Sequence, residues 1–322
     1  MATSMHTHAE ALDVELVIGS YEHTVFGYKL TEVGDNITLD LSFTDKSHCG
    51  SIRCLAVSPR QLLASGSTDE TITLLHLKTR RDVGNLMRHK GTVSYLEFYN
   101  EFMISSDETG CILIWKVDRE FECARTLTGH KGAVNSMSVH PTGKLLLSLG
   151  ADRTLRLWNL INAKRAYTTN LKTPADVVRW SPDGERYILL YSGKVDIRQV
   201  SDASTTHMVD LPGKGHSAEF LFENILAVGC EGGAVTLIDI SSGCIVHEYQ
   251  TDGSRVKCLS TRALDDDKTL LALVTSDGAI ELHMVTQDAD DKIEMGLVTA
   301  TNTVLRPICI AIAAPPAKGE VS

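Results

Sequence analysis

Apolar residues along this chain come in short runs of 5–8, rich in Val, Ile, Leu and Thr and broken by Gly, Asp, Asn or Ser pairs. Such runs predict short antiparallel strands joined by tight turns, and no helical period competes with them. The runs recur in a fixed order. His48, His89 and His130 are spaced by 41 residues each and open the similar segments HCGSIRCLAVSP, HKGTVSYLEFYN and HKGAVNSMSVHP. Second and third strands follow in each unit: LLASGSTDETITLLHL, FMISSDETGCILIWKV and LLLSLGADRTLRLWNL. Trp115 and Trp158 lie 43 residues apart, so the period holds at both ends of the unit. A four-stranded sheet of this size cannot bury both faces alone, and such units must stack around an axis to complete one another's cores.

Gly129-His130 at one end of a unit and Trp158-Asn159 at the other resemble the Gly-His and Trp-Asp of WD40 repeats. Three clear repeats run over about 48–87, 89–127 and 130–169, and three weaker ones end in the third strands KVDIRQV (194–200), AVTLIDI (234–240) and AIELHMV (279–285). A seventh is assembled from the ends: ELVIGSYEHTVFGYKL (15–30) supplies a second and third strand, and VLRPICIAIA (304–313) the missing first. The expectation is an all-β, seven-bladed WD40 propeller over 14–313, its ring closed by N-terminal strands pairing with a C-terminal strand. Segments 1–13 and 314–322 are expected to be flexible. Closure removes open sheet edges.

Composition adds exclusions. With 43% hydrophobic and 22% charged residues over 322 the chain is globular, and a net charge of -10 argues against a general electrostatic grip on nucleic acid. Its eight cysteines form no Cys-x-x-Cys pair and sit mostly in strand-like runs, as buried thiols of a reducing compartment do. The start, MATSMHTHAEALD, is no secretory signal, and no run approaches the ~18 apolar residues of a membrane span, so the chain reads as soluble and intracellular. His6 and His8 read as a solvated tail and Asp265-Asp266-Asp267 as a solvated loop, since neither shows metal-ligand spacing; no phosphate loop or dinucleotide fingerprint is present. No metal, cofactor or enzymatic activity is expected.

His130, Ser148 and Asp152 could be taken for a nucleophilic triad. Yet Ser148 lies in an ordinary strand, not a Gly-x-Ser-x-Gly elbow, and similar elements recur as His48, Ser65 and Asp69. In WD40 repeats the matching residues form a structural chain, Asp orienting His, the hydroxyl bridging and the Trp indole ending it; His89 and Trp115 belong to such a chain in the preceding blade. Because Thr109 stands where Asp is expected, and Leu75, Ile238 and His283 where Trp is, only the fourth blade, with Trp158, is expected to have a complete network. The others should lean on apolar packing. Arg53, Ser94, Asn135, Asp176 and Lys257, at the starts of innermost strands, with Lys90 and Lys131 after the histidines, form a rim at the channel. It suits an acidic segment or RNA phosphate.

The segments ELVIGSYEHTVFGYKL, SGSTDETITLLHL, HPTGKLLLSLGADRTLRLWNL and VVRWSPDGERYILL closely resemble the p21-activated-kinase-interacting protein family, a likeness that covers about 15–313. It implies a nucleolar assembly factor of the large (60S) ribosomal subunit, working through pre-60S assembly factors or ribosomal proteins with indirect rRNA contact. The alternative it implies is a negative regulator that binds the regulatory region of p21-activated kinase. Either is a monomeric scaffold of nucleus and nucleolus, with some cytoplasmic presence, and neither needs a membrane. Family members end in a Lys-rich tail suited to nucleolar retention, whereas this sequence ends APPAKGEVS, a departure that bears on nucleolar targeting.

Overall fold

The computed structural model describes residues 13–33, 36–118, 120–288 and 291–313. The expected flexible segments, Asp13 apart, lie outside the described residues, as do His6 and His8. Among the described residues every regular element is a strand. In chain order they are β1 (Glu15–Ser20), β2 (Val25–Val33) and β3 (Asn36–Asp45), then β4 (Ile52–Val57), β5 (Leu62–Ser67), β6 (Ile72–His76) and β7 (Arg81–Leu86). Next come β8 (Val93–Tyr99), β9 (Phe102–Asp107), β10 (Ile112–Lys116) and β11 (Cys123–Leu127), and β12 (Val134–Val139), β13 (Leu145–Gly150), β14 (Thr154–Asn159) and β15 (Lys164–Asn170). The later repeats give β16 (Val177–Trp180), β17 (Arg186–Tyr191), β18 (Lys194–Gln199) and β19 (Thr205–Asp210), and β20 (Gly215–Phe220), β21 (Ile225–Cys230), β22 (Ala234–Asp239) and β23 (Cys244–Gln250). The chain finishes with β24 (Val256–Asp265), β25 (Lys268–Thr275), β26 (Ala279–Gln287), β27 (Ile293–Asn302) and β28 (Pro307–Ala313).

These strands make seven four-stranded antiparallel sheets. Blade I has the order β28-β1-β2-β3, and blades II to VII follow the chain from β4 to β27. The innermost strands β28, β4, β8, β12, β16, β20 and β24 touch their neighbours in a closed circle. The expected closure is present: β28 pairs with β1 from Glu15↔Ala313 to Ser20↔Pro307. Blade I also has a fourth strand, β3, that the sequence pattern did not reveal. Of its ten residues Leu39 alone is buried, so it offers little apolar signal, because outermost strands lie at the solvent.

Burial follows position in the blade. Second strands are sandwiched between neighbouring blades and read as continuous apolar or small runs, so β5 and β21 are buried at all six residues. The interblade clusters carry most of the apolar burial. Leu16, Ile18, Phe26 and Ile310 of blade I pack on Leu270, Ala272, Ile280 and Leu282 of blade VII, which seals the ring. Leu74 of blade II packs with Met103, Leu113 and Trp115 of blade III. Asp265-Asp266-Asp267 falls at the β24–β25 turn, and among the described residues no group of His, Cys, Asp or Glu is placed to hold a metal ion.

Candidate functional site

Three blades carry a wired polar network that joins the loop before the innermost strand to the second and third strands. In blade IV, His130 Nδ1 lies 3.0 Å from Asp152 Oδ1 and Nε2 2.7 Å from Ser148 Oγ, while Trp158 Nε1–H donates to Ser148 Oγ at 2.8 Å. A carboxylate only accepts, so Nδ1 carries the imidazole proton and Nε2 accepts from the Ser148 hydroxyl. Asp152 also accepts from the Lys131 and Thr154 N–H groups at 3.0 and 3.2 Å and from Arg156 Nη2 at 3.3 Å. Burial would raise its pKa, but the Lys131 N–H, the Thr154 hydroxyl and His130 together hold the carboxyl well below the usual range. Burial in turn keeps His130 neutral, lowering its pKa against the pull of Asp152. The Gly129-His130 pair has a steric reason. A Cβ on Gly129, at φ +155°, would come within 2.5 Å of Arg156 Nη1.

Blade III corrects the sequence-based expectation, for its network is also complete. His89 Nδ1 lies 2.8 Å from Asp107 Oδ2, His89 Nε2 2.6 Å from Ser105 Oγ, and Trp115 Nε1–H donates to Ser105 Oγ at 2.8 Å. Asp107 takes over because it ends β9, where Gly150 ends β13, and from there its carboxylate reaches the histidine directly. Thr109 instead donates N–H and hydroxyl to Asp107 at 2.9 and 2.6 Å. Despite the burial that opposes it, contacts with His89 and Thr109 bring the Asp107 pKa to about 2. In blade II, His48 bonds Asp69 at 3.0 Å and Ser65 Oγ at 2.9 Å, and the chain stops there because the Leu75 side chain has no N–H to add. Ser65, Ser105 and Ser148 are at most 2% exposed, so no acyl group can reach their hydroxyls and the triad reading fails on access.

The blades expected to rely on apolar packing divide. Ile238 of blade VI does so, in a fully buried cluster with Ile188, Leu226 and Ile240. His283 of blade VII does not: its Nε2 lies 2.9 Å from Glu281 Oε2, which also accepts from Tyr249 Oη–H of blade VI at 3.1 Å. A polar trio thus bridges the two blades where an indole was expected. In blade V, Arg198 pairs with buried Asp196 at 2.8 Å.

At the upper end of the ring, Arg53, Ser94, Asn135, Asp176 and Lys257 all line one channel cavity of about 450 Å³, together with His216 and Ile308. A shared backbone device puts them there. In six blades the register of the innermost pair slips by one residue, and the residue left out is Arg53, Ser94, Asn135, His216, Lys257 or Ile308. In blade V the N–H of Asp176 bonds Leu190 O at 2.8 Å, although Val177 is the residue opposite Leu190. Such a bulge turns one side chain out of the ladder and toward the axis. The repeat pattern did not reveal His216 and Ile308, the corresponding residues of blades VI and I. Lys90 and Lys131, exposed on the loops, do not line the cavity.

Three residues below these positions in blades III, V and VI the wall carries charge, as Glu97, Arg179 and Glu219, that the sequence pattern also hid. Arg179 donates Nε–H and Nη2–H to Glu219 Oε1 at 3.1 and 2.7 Å, and Nη1–H to Ser136 Oγ at 3.0 Å. Among the described residues Glu97 receives only the Val139 N–H, at 3.3 Å, and its other oxygen is buried without a partner. Burial pushes its pKa up to about 7; Arg179 and the Val139 N–H oppose this, and Glu219 adds to it. The common signal is a charged residue at the same offset in YLEF, VVRW and SAEF.

Residues 40–74 and 121–159 match the WD domain, G-beta repeat, family. A zebrafish protein, "p21-activated protein kinase-interacting protein 1-like", is 36% identical over 303 residues, 94% of this chain and 81% of the relative. The human "p21-activated protein kinase-interacting protein 1" is 35% identical over 93% of this chain and 77% of its own length. This chain belongs to the p21-activated protein kinase-interacting protein 1-like family. Among solved structures, that of U3-55K matches with a TM-score of 0.70 at 18% identity, over 82% of this chain and 86% of that one, a likeness of fold alone. Within the family framework, blades I and V to VII keep the propeller without the repeated His-Ser-Asp wiring of blades II to IV.

Proposed function

We propose that this family member is a docking platform, with no chemistry of its own, that serves large (60S) ribosomal subunit assembly in the nucleolus. The observation that carries the docking reading is the convergence of Arg53, Asn135, Asp176, His216 and Lys257 on one open mouth. The wired histidines of blades II to IV, by contrast, are buried and engaged at both ring nitrogens. A rigid ring that offers a polar, partly unpaired mouth is built to hold a segment of another molecule. The ribosomal assignment is the role that the family resemblance implies, with pre-60S assembly factors or ribosomal proteins as direct partners and rRNA contact indirect. The relatives' names favour a second reading, in which the partner is the regulatory region of a p21-activated kinase.

Gradient sedimentation of a tagged full chain separates the two. Co-migration with pre-60S particles, together with slowed large-subunit rRNA processing on depletion, is the expected result. A chain that stays at the top of the gradient and binds the kinase regulatory region instead would replace the first reading with the second.

A further inference from the structure

The upper mouth is not uniformly polar. Around the ring His216, Lys257, Ile308 and Arg53 form one continuous arc, and Ser94, Asn135 and Asp176 the other. Among the described residues Arg53 and Lys257 have no ion pair, whereas the neighbouring Arg255 is bound to Glu231 at 2.6 Å. His216 Nε2 is buried and has no hydrogen-bond partner. The cations also feel one another. Burial, then Arg255 and Arg53, lower the pKa of Lys257, and burial, then Arg255, Lys214 and, more weakly, Lys257, lower that of His216 against the opposing pull of Glu231, which is already bound to Arg255. Like charges held together by a rigid backbone device, with no counterion of their own, gain free energy when an anion enters.

We infer that this arc is an anion socket for a single phosphorylated side chain of a partner protein, with Arg53, Lys257 and His216 as its donors. The inference rests on the docking reading and names the chemistry of its partner. A phosphoryl group carries about -1.5 to -2 charge at neutral pH and three acceptor oxygens, which two cations and an imidazole can meet; one carboxylate would leave a cation unmatched. The cavity of about 450 Å³ admits a side chain and its flanking backbone, not a domain. Asn135 and Asp176 on the facing wall offer a donor and acceptors to that backbone. An RNA strand is the poorer fit, because affinity for nucleic acid grows with a stripe of phosphate contacts, and here one recessed arc sits on a chain of net charge -10 and faces Asp176.

The test is fluorescence anisotropy on the full chain with labelled 11-residue peptide pools, degenerate except for a central phosphoserine or serine, and with a single-stranded RNA 12-mer. The phosphoserine pool should bind at least tenfold more tightly than the serine pool and more tightly than the RNA. Arg53→Glu with Lys257→Glu should lose at least tenfold with an unchanged melt, whereas Lys90→Glu with Lys131→Glu, the same change in net charge outside the cavity, should keep the affinity. Equal binding of the two pools, an equal loss in both double variants, or tighter binding of RNA would overturn the socket. Sedimentation of the wild-type chain with pre-60S particles alongside a failed peptide test would sink the socket and leave the ribosomal reading standing. Peptide binding without sedimentation would do the reverse.

Discussion

Asp152→Ala tests whether the blade IV network is structural. The carboxylate is 9% exposed and Arg156, its partner at 3.3 Å, is 6% exposed with Nη1 already lacking an acceptor. Truncation leaves a buried guanidinium without its anion and removes the carboxylate acceptor of His130 Nδ1–H, leaving it only Thr154 Oγ1 at 3.2 Å, while the Lys131 N–H on the exposed loop can turn to water. Breaking a buried pair by removing one member costs about 3–5 kcal/mol. Taking about 3 kcal/mol, because part of the network is rehydrated, and roughly 2 °C per kcal/mol for a large domain, the melting temperature should fall by about 6 °C. Calorimetry reads the melt, and fluorescence of Trp115, Trp158 and Trp180, all buried, reads a urea transition. Asp152→Ala with Arg156→Met should recover at least about 1 kcal/mol, since the stranded charge is gone. A single variant that melts within about 1 °C of the wild type, or a double variant no better than the single, would refute the reasoning. Asp69→Ala, where no arginine is left behind, should cost less, about 1–2 kcal/mol.

Glu97 gives a pH signature. Its folded pKa, about 7, lies above the ordinary 4.5, so the folded state holds the proton more tightly, and this contribution favours folding below pH 4.5 and is lost as pH rises to about 7. Glu97→Gln, which keeps an acceptor for the Val139 N–H, should flatten that slope and exceed wild-type stability by about 3 kcal/mol at about pH 8, read as the difference in urea midpoints between about pH 5 and 8; parallel curves would count against it. Deletion of 307–313 should leave β1 without its inner partner and give an aggregating chain, and a synthetic 303–313 peptide added in trans should restore solubility; a soluble, monodisperse deletion would show that β28 does not close the ring.

How far the sequence carried the structure depends on the kind of force involved. Blade count and closure were legible because interblade burial demands apolar runs at a fixed period, and even the split blade I keeps them in Leu16, Ile18 and Ile310. The outer strand β3 was not, since a strand at the solvent needs no such run. The network of blade III was misjudged because matching by position asks for the same residue at the same offset. Hydrogen bonding asks only for a carboxylate within reach, and Asp107 supplies it from two positions earlier than Asp152 does. The tyrosine, glutamate and histidine that join blades VI and VII escaped for the same reason.

The channel mouth differs from both cases. The bulge that aims a side chain at the axis is a property of the backbone ladder, and in six blades it accepts arginine, serine, asparagine, histidine, lysine or isoleucine at the same place. A position that tolerates every side chain carries no folding constraint, so what stands there is free to answer to a ligand. Folding requires neither two unpaired cations nor an orphaned imidazole in one arc, and their mutual repulsion opposes it. The residues of this propeller that the fold explains least, Arg53, His216 and Lys257, are therefore those on which a partner has the strongest claim.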